Sequence, residues 1–313
     1  MTQLDKLRMV DPVLTGLAQS YSNHNLIYKE LFPVVQVAKQ KGRIPLFGKE
    51  SFASRETERA IRSKSNRMLP GDIELINFET QEHDIEVAID YLENEESLNS
   101  LKYEKRLTRQ LSDIIELTKE IEAAEIAQDP NEYSSGMSKV LTNDESIDSP
   151  VSPLDPIELI MEGKESIRSK IAIYPNVMVI GISAYKALIK HSTILDKIKF
   201  TGIQKVTKDM LCELFEVPNI IIGMAVTSSD NSSFTDVWAD NVVMAYVDQS
   251  NKENRTEYNP SYAYTFQRQG MPETDSYFEN GGKIKVIRCT DNYGMKLTGP
   301  DAGYLIKNIC YNV

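Results

Sequence analysis

The segment from Ser97 to Gln128 places the strongest constraint on the fold, because it contains neither glycine nor proline. Its apolar residues recur three or four positions apart and charged residues fill the positions between them, which is the pattern of an amphipathic helix. Asp129-Pro130-Asn131 follows and ends the pattern. We therefore predict one long helix over residues 97–128 with an apolar stripe formed by Leu101, Leu107, Leu111, Ile114, Ile121 and Ala124.

Two stretches of alternating polar and apolar residues, 34–47 and 73–90, precede the long helix. Such alternation predicts strands, and it is clearest from Asp84 to Asp90. The connection from Lys49 to Gly71 is polar and nearly free of hydrophobic anchors. We predict a long hairpin whose extended tip is solvated.

The residues before the hairpin, 1–33, mix polar and apolar side chains without strong periodicity. The pairs Asp11-Pro12 and Phe32-Pro33 interrupt them, because a residue that precedes proline is pushed toward extended backbone. We predict an N-terminal arm that lies on other parts of the molecule. Neither the arm nor the hairpin has an evident partner within its own chain.

The second half of the chain combines short helices with apolar strands. Asp155 is predicted to cap a helix that starts at Pro156 and continues to about Ile173. The apolar stretch 176–182 lacks alternation, which is typical of a strand buried on both faces. These elements predict a mixed α/β domain whose sheet is covered by helices. Further predicted elements are irregular segments at 132–156 and 248–260, helices capped by Ser183 and Thr207, and strands at 219–226, 237–247, 262–269, 283–290 and 304–311.

The composition is that of a folded globular protein, with 41% hydrophobic and 26% charged residues in a chain of 313. The formal net charge of -11 argues against a protein that grips nucleic acid through a basic surface, so DNA near this chain would be enclosed rather than bound. No apolar run is long enough to span a bilayer, and the first residues lack the apolar core of a signal peptide. We therefore expect folding in the cytoplasm and no membrane partner.

No arrangement of residues indicates catalysis or metal binding. The motifs of P-loop, HExxH and GxSxG sites are absent, and the strand and turn at 179–184 resemble a nucleotide-binding unit only superficially. We predict a non-enzymatic protein without cofactor or metal; an α/β enzyme built on residues 177–247 is the alternative of a different class. The residues that lack a catalytic or metal-ligand spacing are His24, His83, His191 and three predicted free thiols, Cys212, Cys289 and Cys310.

One loop is basic inside this acidic chain, and residues 49–67 are named the basic loop below. Its lysines and arginines outnumber its glutamates. We predict that it meets an acidic face of the long helix in another copy of the chain; a merely solvated loop is the alternative. The residues of this predicted contact are Lys49, Arg55, Arg59, Arg62, Lys64 and Arg67 in the loop and Glu116, Glu120, Glu122 and Glu125 on the helix.

The order of these parts resembles the major capsid proteins of tailed bacteriophages, which share the HK97 fold. The resemblance covers nearly the whole chain and is most specific in the second half. There the family has a strand, a short helix, an aspartate-lysine-isoleucine turn, a second helix and a strand, followed by a strand with a tryptophan before aspartate-asparagine. The matching stretches are NVMVIGISAYKALIKHSTILDKIKFTG, VTKDMLCELFEVPNIIIGMAV, DVWADNVVMAYV and AGYLIKNI.

The resemblance implies an α+β, HK97-like capsid fold with four parts. It also implies pentamers and hexamers that form the icosahedral head of a virion around double-stranded DNA, assembled in the host cytoplasm with a portal. The four parts are an N-terminal arm (1–33), a long β-hairpin called the E-loop (34–91), a peripheral domain with a spine helix and a β-sheet (92–152 and 258–300) and a mixed α/β axial domain (153–257 and 301–313).

Two features depart from the family pattern. The sequence starts almost directly at the arm, so a separate scaffolding protein or unaided assembly is expected instead of a fused helical scaffold. In the founding member an E-loop lysine joins covalently to an asparagine of a neighbouring subunit, aided by a glutamate. Lys49 and Lys64 lie in the corresponding loop, but the other two residues cannot be matched, so no cross-link is expected. An encapsulin-type nanocompartment shell of the same fold is the alternative function.

Overall fold

The computed structural model describes residues 9–21, 23, 25–47, 57–67, 74–96, 100–150, 153–199, 206–228, 233–251 and 254–310. Within these ranges, no helix combines the length and the apolar character that crossing a membrane requires. In chain order the elements are β1 (Met9–Val10), α1 (Pro12–Ser20), α2 (Tyr28–Leu31), β2 (Val34–Val37), β3 (Lys41–Pro45), β4 (Leu75–Glu79), β5 (Gln81–Asp90), α3 (Tyr91–Glu96), α4 (Ser100–Ala127), β6 (Ser138–Val140), α5 (Pro156–Ile171), β7 (Val177–Gly181), α6 (Ile182–Leu188), α7 (Ser192–Lys199), α8 (Lys208–Phe215), β8 (Asn219–Gly223), β9 (Val226–Thr227), β10 (Thr235–Asp236), β11 (Val242–Ala245), β12 (Ala263–Arg268), β13 (Glu273–Glu279), β14 (Ile284–Leu297) and β15 (Gly303–Lys307).

A six-stranded sheet is built around the long strand β14. This strand pairs with β5 along one edge and with β13 and then β12 along the other, all antiparallel. Strand β1 extends the sheet beyond β13, and β2 runs parallel to β12. The sequence predicted β12 and the first half of β14, but it missed the continuation of β14 beyond Thr290 and all of β13, whose residues Glu273–Glu279 are largely polar.

A second sheet has five strands in the order β6-β15-β11-β7-β8. Strand β7 is buried along its whole length, as its unbroken apolar sequence predicted. The helix α5 packs on this sheet; Asp155 caps it by accepting the backbone N–H of Ile157, as predicted. The described residues 132–150 and 153–155 are irregular as predicted, except for β6, which pairs with β15, and a short 3-10 helix at Asn143–Glu145. Strand β6 of the predicted peripheral segment therefore lies in one sheet with strands of the predicted axial segment, and the domain division stays a prediction.

The predicted long helix is α4, and the prediction is confirmed over the described residues 100–127. Its buried stripe differs from the predicted one, because Leu101 and Ile114 are 52% and 41% exposed. Leu111 and Ala124 are buried as predicted, and the stripe also includes polar and small residues where α4 meets the arm and the sheet. Its buried members are Glu104, Thr108, Leu111, Ser112, Ile115, Lys119, Glu120, Ala123, Ala124 and Ala127.

The described residues between 9 and 33 of the predicted arm pack onto their own chain, so the expectation that the arm lacks an internal partner is wrong there. Asp11 caps α1 by accepting the N–H groups of Val13 and Leu14. On the same helix Leu14 and Ala18 are buried against α4, β5 and β14. The apolar residues of α1 recur at helical spacing, but the sequence left this short pattern unassigned.

The predicted hairpin exists, but each of its long strands is broken into two. Strands β3 and β4 pair antiparallel from Lys41 opposite Glu79 to Pro45 opposite Leu75. The outer pieces, β2 and β5, leave the hairpin and join the six-stranded sheet. The hairpin therefore grows out of that sheet, and the basic loop lies at its far end.

Two local predictions in the second half are wrong. Ser183 lies inside α6, because β7 runs to Gly181 and that glycine occupies the position before the helix. Only glycine fits there, since a side-chain carbon would overlap the carbonyl oxygens of Trp238 and Ala239. Asp196-Lys197-Ile198, predicted as a turn, lies within α7. The predicted cap of α8 is confirmed, because the Thr207 hydroxyl accepts the backbone N–H of Met210.

Candidate assembly surfaces

The described part of the basic loop, residues 57–67, is exposed at every position and forms no helix or strand. Lys49 and Arg55 of the predicted contact lie outside the described residues. The other four cations, Arg59, Arg62, Lys64 and Arg67, all lie on this exposed part. Ile61 stands among them with 93% of its surface exposed.

Local hydrogen bonds link residues 57–67 to one another. The Arg59 guanidinium donates to the carbonyl of Ser63 at 2.9 Å, and the Ser63 hydroxyl donates to the carbonyl of Ala60 at 2.8 Å. The Asn66 amide donates to the carbonyl of Glu58 at 3.0 Å. These bonds form a turn, and Arg62 sits in it with a positive φ of 70°. Over the described residues, none of the four cations is paired with a carboxylate of its own chain.

The predicted acidic partner residues on α4 do not form one exposed face. Glu116 is turned toward the arm, where its carboxylate binds Lys29 Nζ at 2.6 Å and accepts the Tyr28 hydroxyl at 3.1 Å. It also binds Lys119 Nζ at 2.9 Å. Burial alone would raise the pKa of Glu116, but the two lysines overcome this effect and lower it. Glu116 is therefore already paired within the chain.

Glu120 is fully buried, so its predicted role in a contact between copies is wrong. One carboxylate oxygen accepts the backbone N–H groups of Ile27 and Tyr28, each at 2.8 Å. The other accepts the indole N–H of Trp238 at 2.6 Å. Burial raises the pKa of Glu120, against the opposing effect of these hydrogen bonds. This carboxylate ties the arm and the Trp238 segment to the middle of α4.

Lys119 completes the buried group of charges around α4. Its ammonium lies 2.6 Å from Asp291 on β14, and the two side chains are 3% and 0% exposed. Asp291 also accepts the side-chain amide of Gln267 on β12. Burial alone would lower the pKa of Lys119, but Asp291 and Glu116 raise it. We call Lys29, Glu116, Lys119, Glu120, Trp238 and Asp291 the buried junction.

Of the four predicted helix glutamates, only Glu125 is exposed. Glu122 is partly buried next to Tyr293, and burial raises the pKa of the Glu122 carboxyl. The helix face therefore offers one free carboxylate where four were predicted. Sequence reasoning missed the buried junction because the charged residues of α4 resemble an ordinary solvated face. The signal that was available is their position, since Lys119 and Glu120 share a stripe with the small residues Ala123 and Ala127.

The remaining residues considered for chemistry have packing roles where the structure describes them. The His83 ring stacks on Tyr293 with centroids 4.3 Å apart, and His191 accepts the backbone N–H of Thr193; His24 lies outside the described residues. Cys212, Cys289 and Cys310 are free, although only Cys289 is fully buried. Within the described ranges, no group of three or more histidine, cysteine, aspartate or glutamate side chains is placed to hold a metal ion.

Comparison with known structures places the fold. A phage-related protein from Bordetella bronchiseptica superposes with a TM-score of 0.82 at 30% identity, over 97% of this chain and 99% of that one. The capsid protein of cyanophage P-SCSP1u gives a TM-score of 0.57 at 11% identity, over 92% and 89%. A virus-like particle protein from Pyrococcus furiosus gives 0.55 at 12% identity, over 98% and 100%. The last two likenesses concern the fold alone, and the chain has the predicted HK97-like capsid fold.

Comparison of sequences identifies the family. The major capsid protein of Burkholderia phage BcepMu is 46% identical over 310 residues, which is 99% of both chains. The major capsid protein of Pseudomonas phage JBD67 is 22% identical over 307 residues, or 96% of both chains. The family model described as phage major capsid protein E matches residues 4–278. The chain therefore belongs to the phage major capsid protein E family and is a structural component of a phage virion.

Proposed function

We propose that copies of this capsid protein assemble into pentamers and hexamers that form an icosahedral head around double-stranded DNA. The subunits assemble in the host cytoplasm, either with a separate scaffolding protein or unaided. A portal completes the head. The role is structural rather than enzymatic. The 46% identity to a phage major capsid protein favours a phage head over the encapsulin alternative. The net charge of -11 supports a shell that encloses DNA without sequence-specific binding.

The observation that carries this proposal is the exposed part of the basic loop. Among the described residues, its four cations form no ion pair with their own subunit, and Ile61 is exposed. Protruding segments of this kind become ordered by burying surface on a neighbour. We infer that the loop, including Lys49 and Arg55, contacts another subunit. On α4, Glu125 is the exposed acid among the predicted partner residues.

Assembly of the purified full chain, alone and with the phage's scaffolding protein, tests the proposal. Sedimentation and negative-stain microscopy should show rings or closed shells. Only monomers at high concentration with scaffold present would contradict it. Replacing Arg55, Arg59 and Arg62 together by glutamate should leave circular dichroism and subunit melting nearly unchanged while reducing assembly. Wild-type assembly should weaken as salt is raised, because exposed ion pairs are screened.

A further inference from the structure

Strand β5 forms a free edge of the six-stranded sheet along its ten residues, Gln81–Asp90. One side of the strand is hydrogen-bonded to β14 from end to end. No strand among the described residues pairs with its other side. An exposed edge of this length is normally covered or charged, because it otherwise invites pairing with another chain.

The side chains of β5 divide by the strand's period of two. Ile85, Val87 and Ile89 point to the core shared with α1 and α4. The alternate residues point outward and are exposed. A strand rises by about 3.3 Å per residue, so the outward row from Glu82 to Asp90 is roughly 26 Å long. We call Glu82, Asp84, Glu86 and Asp90, which carry the charge of this row, the acidic edge.

Arg288 on β14 attracts Asp84 electrostatically, but no ion pair with a basic residue is found for the acidic edge among the described residues. Arg288 lies directly opposite Glu86 on β14, but its guanidinium is held by the buried Asp275 through two hydrogen bonds of 3.1 and 2.8 Å. Glu86 receives a neutral donor, the Tyr277 hydroxyl, at 2.9 Å. Over the part of the chain that the structure describes, no lysine or arginine is ion-paired with the acidic edge. Like charges in one row favour the binding of a cationic partner.

The basic loop has the complementary charge. Its described part carries four exposed, unpaired cations, and its one acid is Glu58. The chain thus presents an unpaired acidic row and an unpaired basic segment on different elements. A contact between two such unlike surfaces is heterologous: each copy offers its loop to one neighbour and its acidic edge to the other. Heterologous contacts close into rings when the rotation between copies allows it.

We propose that the acidic edge of one subunit is the docking surface for residues 57–67 of the basic loop of the next. This inference rests on the proposed assembly function and names its receptor surface. It also explains why α4, with one free carboxylate, need not be that receptor. The loop cations bind the row of carboxylates, and the row's period along the strand fixes the register of the contact.

Charge reversal on each side, separately and together, tests the proposal. Glu82→Lys, Asp84→Lys and Glu86→Lys form the edge variant; Arg59→Glu, Arg62→Glu and Lys64→Glu form the loop variant. Each should raise the protein concentration needed for ring or shell assembly by about tenfold or more, since three exposed ion pairs are lost. The variant that combines all six substitutions should assemble at a protein concentration within about threefold of that of wild type, because the contact is rebuilt with opposite charges.

A matched control reverses Glu158, Asp209 and Glu213, exposed acids on α5 and α8. It changes the net charge by the same amount and should assemble like wild type. If the edge variant does not fold by circular dichroism, the nearly isosteric Glu82→Gln, Asp84→Asn and Glu86→Gln variant takes its place and should show a smaller defect. Normal assembly of the edge variant or of its glutamine and asparagine replacement would overturn this inference. So would the absence of recovery in the variant that combines all six substitutions. Failure of the wild-type chain to assemble would instead overturn the proposed function.

Discussion

Replacing the buried Lys119 by methionine should destabilise the subunit far more than replacing a surface lysine in an ion pair of the same length. The ammonium of Lys119 lies 2.6 Å from Asp291, and neither side chain is appreciably exposed. Methionine fills similar space but leaves the Asp291 carboxylate buried without its cation. The surface control is Lys139→Met, whose partner Glu162 also lies at 2.6 Å while the two side chains are 35% and 56% exposed.

The magnitude follows from burial. At an effective dielectric constant of about 20, unit charges 2.6 Å apart attract by about 6 kcal/mol, of which desolvation offsets a large part. Removing one partner of a buried pair costs about 3–5 kcal/mol, because the other charge stays buried alone. Gln267 and the backbone N–H of Asn292 still donate to Asp291, which favours the lower end of that range. The exposed Lys139 pair should contribute about 0–1 kcal/mol.

Urea unfolding of the unassembled subunit measures both variants. Trp238 is the only tryptophan, and it is buried in the junction, so its fluorescence reports the unfolding of this region. Adding Asp291→Asn to Lys119→Met should recover at least about 1 kcal/mol, since it removes the stranded charge. Equal effects of the two lysine substitutions, or no recovery in the double variant, would refute the assignment of Lys119 and Asp291 as a buried, mutually dependent pair.

Glu120→Gln should lower the free energy of unfolding by about 1–3 kcal/mol. The glutamine amide nitrogen is a donor, yet it must face either the Trp238 indole N–H or two backbone N–H groups. Burial raises the pKa of Glu120, so the folded state binds the carboxyl proton more tightly than the unfolded state does. The contribution of this proton to the free energy of unfolding is therefore largest below pH 4.5 and is lost as the pH rises. The difference in unfolding free energy between wild type and the glutamine variant, measured in urea titrations, should narrow above that pH. Gly181→Ala should lower the melting temperature sharply, since the new methyl group overlaps the carbonyl of Ala239; the exposed Gly16→Ala, with open space around it, is the control. Mature particles boiled in detergent under reducing conditions should give a single band near 35.4 kDa, and a ladder of multimers would contradict the absence of cross-links.

Elements with a long, regular pattern could be predicted from the sequence. The helix α4, the capped start of α5 and the buried strand β7 each depend on residues close together in the chain. Strand β13 could not be predicted, because its partner strands bury polar residues such as Thr274 and Asp275. The short helices of the arm are stabilised by packing on distant elements, which local propensity does not encode.

The candidate site was predictable only on one side. The basic loop stands out by composition, and its described part is exposed as a contact surface must be. The acidic partner on α4 was misjudged, because the groups that bind its carboxylates and Lys119 are far away in sequence. Trp238 is 118 residues from Glu120, and Asp291 is 172 residues from Lys119. The alternation in β5 was visible in the sequence. The sequence does not show that β5 is an edge strand, which follows from its pairing with β14 on one side.

Two groups of charged residues in this chain have different consequences. Those of the buried junction hold the arm against α4, and the arm leads directly into β2 and the hairpin that carries the basic loop. A fixed hairpin base means that less conformational freedom is lost when the loop docks. Weakening the junction should therefore impair both folding and assembly, whereas changing the exposed loop or the acidic edge should impair assembly alone. The two kinds of variant separate the energy that folds one subunit from the energy that joins it to the next.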